Sequence, residues 1–175
     1  MLIETLVASA IIVALAAGLA HVASMTSAAV LASGAQGKAL FLAAQKLEQL
    51  KTLTWTFDDA LLPVSDASTN LAFDPPTRDG SGLSPSGPVT TPVAGGGYVD
   101  YLDRDGQWLG TGPPPPAGAS FVRRWSVTPL AMPPGDPLLL QVVVIATGVR
   151  GPAGTAGVRP NDPGVTWLVT VRVRH

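Results

Sequence analysis

The chain contains no cysteine. Thiol catalysis, disulfide stapling and cysteine-based zinc sites are therefore excluded. The lack of disulfides leaves the compartment open, because an extracytoplasmic domain can fold without them. Histidine is nearly as scarce: of the two, His21 lies in an apolar run and His175 ends the chain. No Ser-His-Asp arrangement and no histidine metal cluster can be assembled from such a pair. Charge is thin as well, with 13% of residues charged and 11 basic side chains set against 12 acidic ones. That balance offers neither the basic footprint of a nucleic-acid binder nor a basic run for anionic lipid heads. Glycine-rich phosphate-binding loops are missing too. The sequence thus predicts a chain that is not an enzyme and takes no cofactor, and whose functional content is architectural.

What is present begins at the N-terminus. From Thr5 to Gly37 there is no Lys, Arg, Asp or Glu, and Ala, Leu, Ile and Val dominate. A bilayer is crossed by about 20 apolar residues at ~1.5 Å each, so residues 1–37 read as a membrane-crossing or bundle-core helix. The run exceeds the ~7–15-residue apolar core of a secretory signal and lacks its basic flank, so a conventional cleaved signal fits poorly. Glu4 stands at its mouth. A carboxylate carried to the bilayer centre costs roughly 2.5–3.5 kcal/mol. No Lys or Arg precedes Lys38, which leaves an α-amino group, its own or a neighbour's, or interfacial water to answer it.

Leu2-Ile3-Glu4-Thr5-Leu6-Val7-Ala8 resembles the start of type IV pilins and type II secretion pseudopilins, which read Phe-Thr-Leu-Ile-Glu ahead of an apolar helix. The resemblance is close over about 25 residues, and the layout extends it to the whole chain. It implies a leader removed by a prepilin peptidase, a methylated new N-terminus, and a processing region at Met1, Leu2 and Ile3. It also implies that Glu4 pairs with the N-terminal amine of an adjacent subunit in a helical filament. The implied partners are other pilin or pseudopilin subunits through helix–helix contacts, the inner membrane and an assembly platform. Counting back from Glu4 puts Met1 at the second mature position, one residue short. The expectation is a chain that begins downstream of its true start, through truncation or a misplaced start codon.

Helical character continues over residues 38–56. Between Lys38 and Lys51 the residues are mostly Ala, Leu, Gln, Glu and Lys, all good helix formers. Leu40, Ala43, Ala44, Leu47 and Leu50 fall at helical spacing and predict the face that packs on a sheet. Lys38, Gln45, Lys46, Gln49 and Lys51 are expected elsewhere, with Glu48 one turn from Lys51. Gly18, Gly34 and Gly37 weaken the helix by about 1 kcal/mol each relative to Ala. They serve either close helix–helix approach or loosening where the helix leaves the membrane. His21, with no acid in reach, reads as a tolerated polar residue.

Residues 57–97 are rich in Asp, Ser, Thr, Pro and Gly and read as a long connecting loop. The resemblance implies that this loop lines subunit contacts. Residues 98–175 then carry strand signals. Tyr98–Leu102 and Gln107–Leu109 flank Asp103-Arg104-Asp105-Gly106, a hairpin turn. A calcium site at Asp100, Asp103 and Asp105 is the sharper alternative, with Asp103 and Asp105 as weak metal candidates. It lacks a complete twelve-residue loop and a closing Glu. Gly112–Gly118, with four consecutive prolines, reads as a stiff connector. Phe121, Trp125 and Val127 share one face of the next strand with Arg123, whereas Arg124 is expected as a solvated edge residue. Leu138–Ala146 reads as a central strand buried on both faces. In the last strand Trp167, Val169, Val171 and Val173 are expected inward, and Thr166, Thr170, Arg172 and Arg174 outward.

The expected fold class is therefore α+β and pilin-like: a long N-terminal helix on an antiparallel sheet of about four or five strands. The expected function is that of a minor pilin or pseudopilin subunit of a type IV pilus or type II secretion system. In that role the chain starts in the bacterial inner membrane as a single-pass protein with its C-terminal domain in the periplasm. A single-span membrane-anchored binding module that never polymerises is the alternative from another class.

Overall fold

The computed structural model describes residues 2–90, 97–131, 136–150 and 158–174. Helix α1 spans Leu2–Thr52, and the chain divides into two compact units, Met1–Ala35 and Gln36–His175. The first unit is helix alone. Its apolar side chains, among them Leu6, Ile11, Leu15, Leu19 and Val30, are exposed, and the helix is long and apolar enough to cross a membrane. No stripe distinguishes one side from another, which is the pattern of a helix surrounded by apolar material on every side.

The second unit is α+β. Strands β1 (Trp55–Phe57) and β2 (Pro63–Ser65) form a small hairpin directly after the helix. Five further strands make an antiparallel sheet: β3 (Val99–Leu102), β4 (Trp108–Gly110), β5 (Phe121–Pro129), β6 (Leu138–Ala146) and β7 (Val165–Arg172). A short turn of helix, α2 (Thr147–Arg150), follows β6. The order across the sheet is β4-β3-β5-β6-β7. The order is not that of a simple meander. After the proline connector the chain returns beside β3, where Ser120 N–H donates to the Leu102 carbonyl at 2.8 Å, and β4 is left at an edge.

Two cores result, one on each face of the sheet. On the helix side Leu42, Ala43, Leu50, Leu102, Phe121, Trp125, Val127, Leu140 and Val142 pack together. On the other side Val99, Tyr101, Val122, Val143, Ile145 and Val165 pack with Val89 and Val158 from loops. Strand β6 contributes to both, which is why its sequence is almost wholly apolar.

The helix face differs from the expected stripe by one position. Ala43, Leu47 and Leu50 are buried, but Leu40 is 50% exposed, and the buried row is Ala39, Leu42, Ala43, Lys46, Leu47 and Leu50. Ala44 is only half-buried. Counting apolar residues alone placed the seam at Leu40, because the true seam runs through a lysine.

The faces of β7 are also reversed relative to the helix, although Trp167, expected inward, packs on the core of the far sheet face. Val169, Val171 and Val173 lie on the outer face and are about half exposed. The helix-facing residues are Leu168, Thr170 and Arg172, as the pairing of Leu140 with Thr170 requires. The reason is the helix end. Arg172 donates to the Leu50 carbonyl at 3.1 Å, and Arg174 donates to the carbonyls of Thr56 and Val64 at 2.9 and 2.6 Å. The last carbonyls of a helix lack internal partners and favour cations, so Arg172 turns toward one of them, while Arg174 turns toward carbonyls of the hairpin. The Arg174 guanidinium also stacks on Trp55, 3.4 Å from the ring centroid. Arg124, expected at a solvated edge, is buried, because β5 is an interior strand.

The connecting segment is organised over residues 57–90, and its residues 91–96 lie outside the described residues. Asp66 accepts hydrogen bonds from Ser68 N–H, Thr69 N–H and the Thr69 hydroxyl. Leu71, Ala72, Leu83 and Val89 are buried, and the Trp108 indole donates to the Ala72 carbonyl at 2.9 Å. Ser86 pairs with Val127, covering β5 beyond the end of β3. Gly82 closes this segment with φ +47°, and a Cβ there would lie 2.3 Å from the Asp66 carbonyl oxygen.

Gly82→Ala should therefore destabilise the second unit by about 2 kcal/mol or more. All four tryptophans, Trp55, Trp108, Trp125 and Trp167, lie in that unit. Urea unfolding of the full chain in detergent, followed by tryptophan fluorescence, should show an earlier midpoint at unchanged slope.

Candidate functional site

The most highly charged buried point of the described residues lies where α1 meets the sheet. Lys46 sits on the buried helix row between Leu42 and Leu50, and only 1% of it is exposed. Asp100 of β3 and Arg123 of β5 face it from the sheet, held opposite each other by the register of the two strands. The Asp100 carboxylate, fully buried, is bound from both sides. The Lys46 ammonium lies 2.9 Å from Oδ2, and Arg123 Nη2 and Nε lie 2.7 Å from Oδ2 and 2.9 Å from Oδ1. This is a forked guanidinium–carboxylate pair with a lysine added on the shared oxygen.

The remaining donors are met by backbone. Arg123 Nη1 donates to the Leu42 carbonyl at 3.2 Å and to Gln45 Oε1 at 3.3 Å. Lys46 donates to the Leu71 carbonyl at 2.6 Å and sits 4.4 Å from the centroid of the Trp125 ring. Trp125 in turn meets Tyr98 edge-on at 6.2 Å. The cluster therefore ties together three parts of the unit: the helix, the sheet and the connecting segment.

Its charges do not cancel, since two cations share one carboxylate. Burial lowers the Lys46 ammonium to about 8; the Asp100 carboxylate opposes that fall and the Arg123 guanidinium adds to it. On the opposite face burial lowers Arg124, against the pull of the Tyr101 phenol, and burial raises Tyr101. Both cations of the cluster are buried and fully engaged, so the cluster fastens elements together.

The hairpin at Asp103–Gln107 is a turn held by its own aspartate. Asp103 Oδ1 accepts the amides of Asp105 and Gln107 at 2.7 and 2.9 Å, and Gly106 takes φ +85°. Asp105 faces Lys38 at 4.0 Å, and Lys38 donates to the Arg104 carbonyl at 2.6 Å. The Asp100 oxygens are committed to Lys46 and Arg123, so the three carboxylates weighed as a calcium set belong to two separate arrangements. No cluster of three metal-binding side chains occurs among the described residues.

Glu4 lies in the first turn of α1, exposed, where a negative charge suits the helix dipole. Ile3 is exposed beside it, Leu2 begins the helix, and Met1 lies outside the described residues. The segment expected to be processed and the helix-to-sheet face are thus in different units. Sequence reading missed the Lys46–Asp100–Arg123 cluster. A lysine at the spacing of the apolar row, together with a strand that places an acid and an arginine on the helix-facing side, was the available signal.

Two outcomes follow from the charge count. Asp100→Asn leaves two cations facing each other and should cost about 3–5 kcal/mol, whereas Lys46→Met leaves a balanced Asp100–Arg123 pair and should cost under about 1.5 kcal/mol. A depressed lysine makes the folded state bind fewer protons than the unfolded one between about pH 8 and the ordinary lysine value of 10.5. Stability should therefore rise with pH above about 8, by about 2 kcal/mol before the raised Tyr98 and Tyr101 phenols reverse it near pH 10. Below pH 8 the two states bind this proton equally and no slope arises from it. Denaturant unfolding across pH 7–10 checks this, and the rise should be absent in Lys46→Met.

Compared with known proteins, the chain is matched by no family model, no curated protein and no solved structure.

Proposed function

We propose that this chain is a filament subunit of the type IV pilin and type II secretion pseudopilin kind, minor rather than major. The carrying observation is the first unit: a helix uncharged from Thr5 to Ala35, with apolar side chains exposed all round and a single acid, Glu4, in its first turn. Such a surface is stable only against lipid or against other apolar helices. The resemblance of Leu2–Ala8 to the family's opening segment supports the second surrounding as the working one. A Cβ at Gly18, Gly34 or Gly37 would touch nothing within the chain, which is compatible with glycines that serve approach by another helix.

On this reading the helix waits in the inner membrane with the sheet-bearing unit in the periplasm. Assembly moves it from lipid into a core of like helices. Both surroundings are apolar, so the hydrophobic cost of extraction is largely cancelled, and packing and polar contacts decide the outcome. Glu4 pairs with the terminal amine of a neighbouring subunit and so selects the register of addition. The buried cluster at Lys46 keeps the second unit fixed to its own helix segment while this happens.

The test is Glu4→Gln in the full chain. Membrane insertion should be unchanged, while incorporation into filaments should fall about tenfold or more, as expected for losing an ion pair of at least ~1.4 kcal/mol in an apolar core. Recovery in sheared filaments against the membrane fraction measures the ratio. Equal incorporation of the two forms would remove the role of Glu4, and absence of both forms from sheared filaments would sink this reading in favour of a membrane-anchored module that does not polymerise.

A further inference from the structure

Helix α1 is supported in two different ways along its length, and one turn has neither support. From Ala39 onward packing holds it: Ala39, Leu42, Ala43, Lys46 and Leu50 are buried. The first bond to the sheet region comes at Lys38, which donates to the Arg104 carbonyl at 2.6 Å. Toward the N-terminus the support is apolar surroundings. A hydrocarbon core takes about 20 residues, so, counted from Glu4, it ends near Ser24. Within that length an opened amide has no water to turn to, and the helix stays closed even at Gly18. Gly34 lies past Ser24 by roughly 15 Å at ~1.5 Å per residue, and the packed stretch begins only after Gly37. The division of the chain into two compact units falls inside this turn, between Ala35 and Gln36.

The turn is also weak in itself. It begins and ends in glycine, the residue that gives up most backbone freedom on entering a helix. None of Ser33, Gly34, Ala35, Gln36 and Gly37 is buried. No ion pair reaches it from the N-terminal side, since charge is absent from Thr5 to Gly37. A Cβ at Gly34 or Gly37 would meet nothing within 4 Å, so no neighbour in the chain requires a glycine at either position. What the two share is a lowered cost of opening one helical turn, at a place where water can take up the freed N–H and C=O groups.

We propose that Gly34–Gly37 is a hinge in α1: this turn opens and closes reversibly, and the helix bends there while the stretches on either side stay helical. Sharp bends in helices have local causes, and an adjacent serine and glycine, here Ser33-Gly34, is one of them. Gly18 takes no part, because its surroundings penalise an open backbone. The hinge frees the direction of the helix after Lys38 from the direction in which the apolar stretch enters a membrane. It does so in a chain that polymerises and in a solitary anchored one alike, so it does not depend on the filament reading.

The test uses the full chain in lipid-bilayer discs. Hydrogen exchange at the amides of residues 34–38, corrected for intrinsic rates, should be about tenfold or more faster than at residues 42–50. Gly34→Ala/Gly37→Ala should slow it about thirtyfold, from two glycine penalties of about 1 kcal/mol each at ~1.36 kcal/mol per tenfold. Residues 42–50 should not change, and Gly18→Ala should leave residues 34–38 as they were. With no native cysteine, spin labels at Val30→Cys and Phe41→Cys, both exposed, read the bend directly. The glycine form should give a broad spread of distances. The alanine pair should give a narrow one near the straight-helix value of roughly 16 Å between Cα atoms. Amides of residues 34–38 as protected as those of 42–50, or a narrow spread in the glycine form, overturn the hinge. A broad spread that the alanine pair leaves unchanged overturns it too, by removing the glycines as its cause.

Discussion

A single carboxylate holds the second unit together. Asp100 lies with no exposed surface between a lysine from the helix and an arginine from the neighbouring strand. Burying three charges is expensive, and an apolar cluster of the same volume often serves stability as well or better. What the charges add is position. An apolar helix face made largely of Ala and Leu slides or rotates over a sheet at small cost, because its contacts are alike along its length. Lys46 and the Arg123 bond to the Leu42 carbonyl do not tolerate a slip of one residue. A third direction is set by the Leu71 carbonyl, which draws the connecting segment onto the same lysine. Helix height, strand pairing and loop path are thus fixed by one group of atoms.

The same economy of charged residues recurs at the helix end. Arg172 and Arg174 sit on a strand whose alternation alone would send them to solvent, yet both are spent on carbonyls that the helix and hairpin leave open. In a chain so poor in charge, the interior of the second unit takes a large share of its basic residues. The outer face of β7 is left to Val169, Val171 and Val173. Which side of a strand faces inward was decided by backbone groups that needed partners, over the preference of valine for burial.

Much of the layout was legible in the residues. The apolar run, its continuation past Lys38, the hairpin around Asp103–Gly106 and the doubly buried Leu138–Ala146 strand each follow from one local periodicity or one turn chemistry. The helix-to-sheet seam was missed by one position because Lys46 was counted as polar, and its partners lie in strands far along the chain. The Arg124 and β7 faces failed for a related reason. A strand's period is local, but whether it is interior, and which face meets the helix, depends on the order of strands. The connecting segment looked structureless since its order comes from side-chain bonds such as those of Asp66 and from buried Leu71 and Leu83, which no period announces. Of the proposed functional residues, Glu4 was visible through its isolation in an apolar run.

A helix that is apolar on every side carries affinity without instruction. Exchanging lipid for like helices changes little in hydrophobic energy, and small residues permit close approach at several rotations and heights of nearly equal merit. Register must then come from points where a wrong placement is penalised. Within the second unit Asp100 plays that part between helix and sheet. Between copies, on the proposed reading, Glu4 plays it inside the core: left without a neighbour's amine in apolar surroundings, it penalises a wrong height along the helix axis.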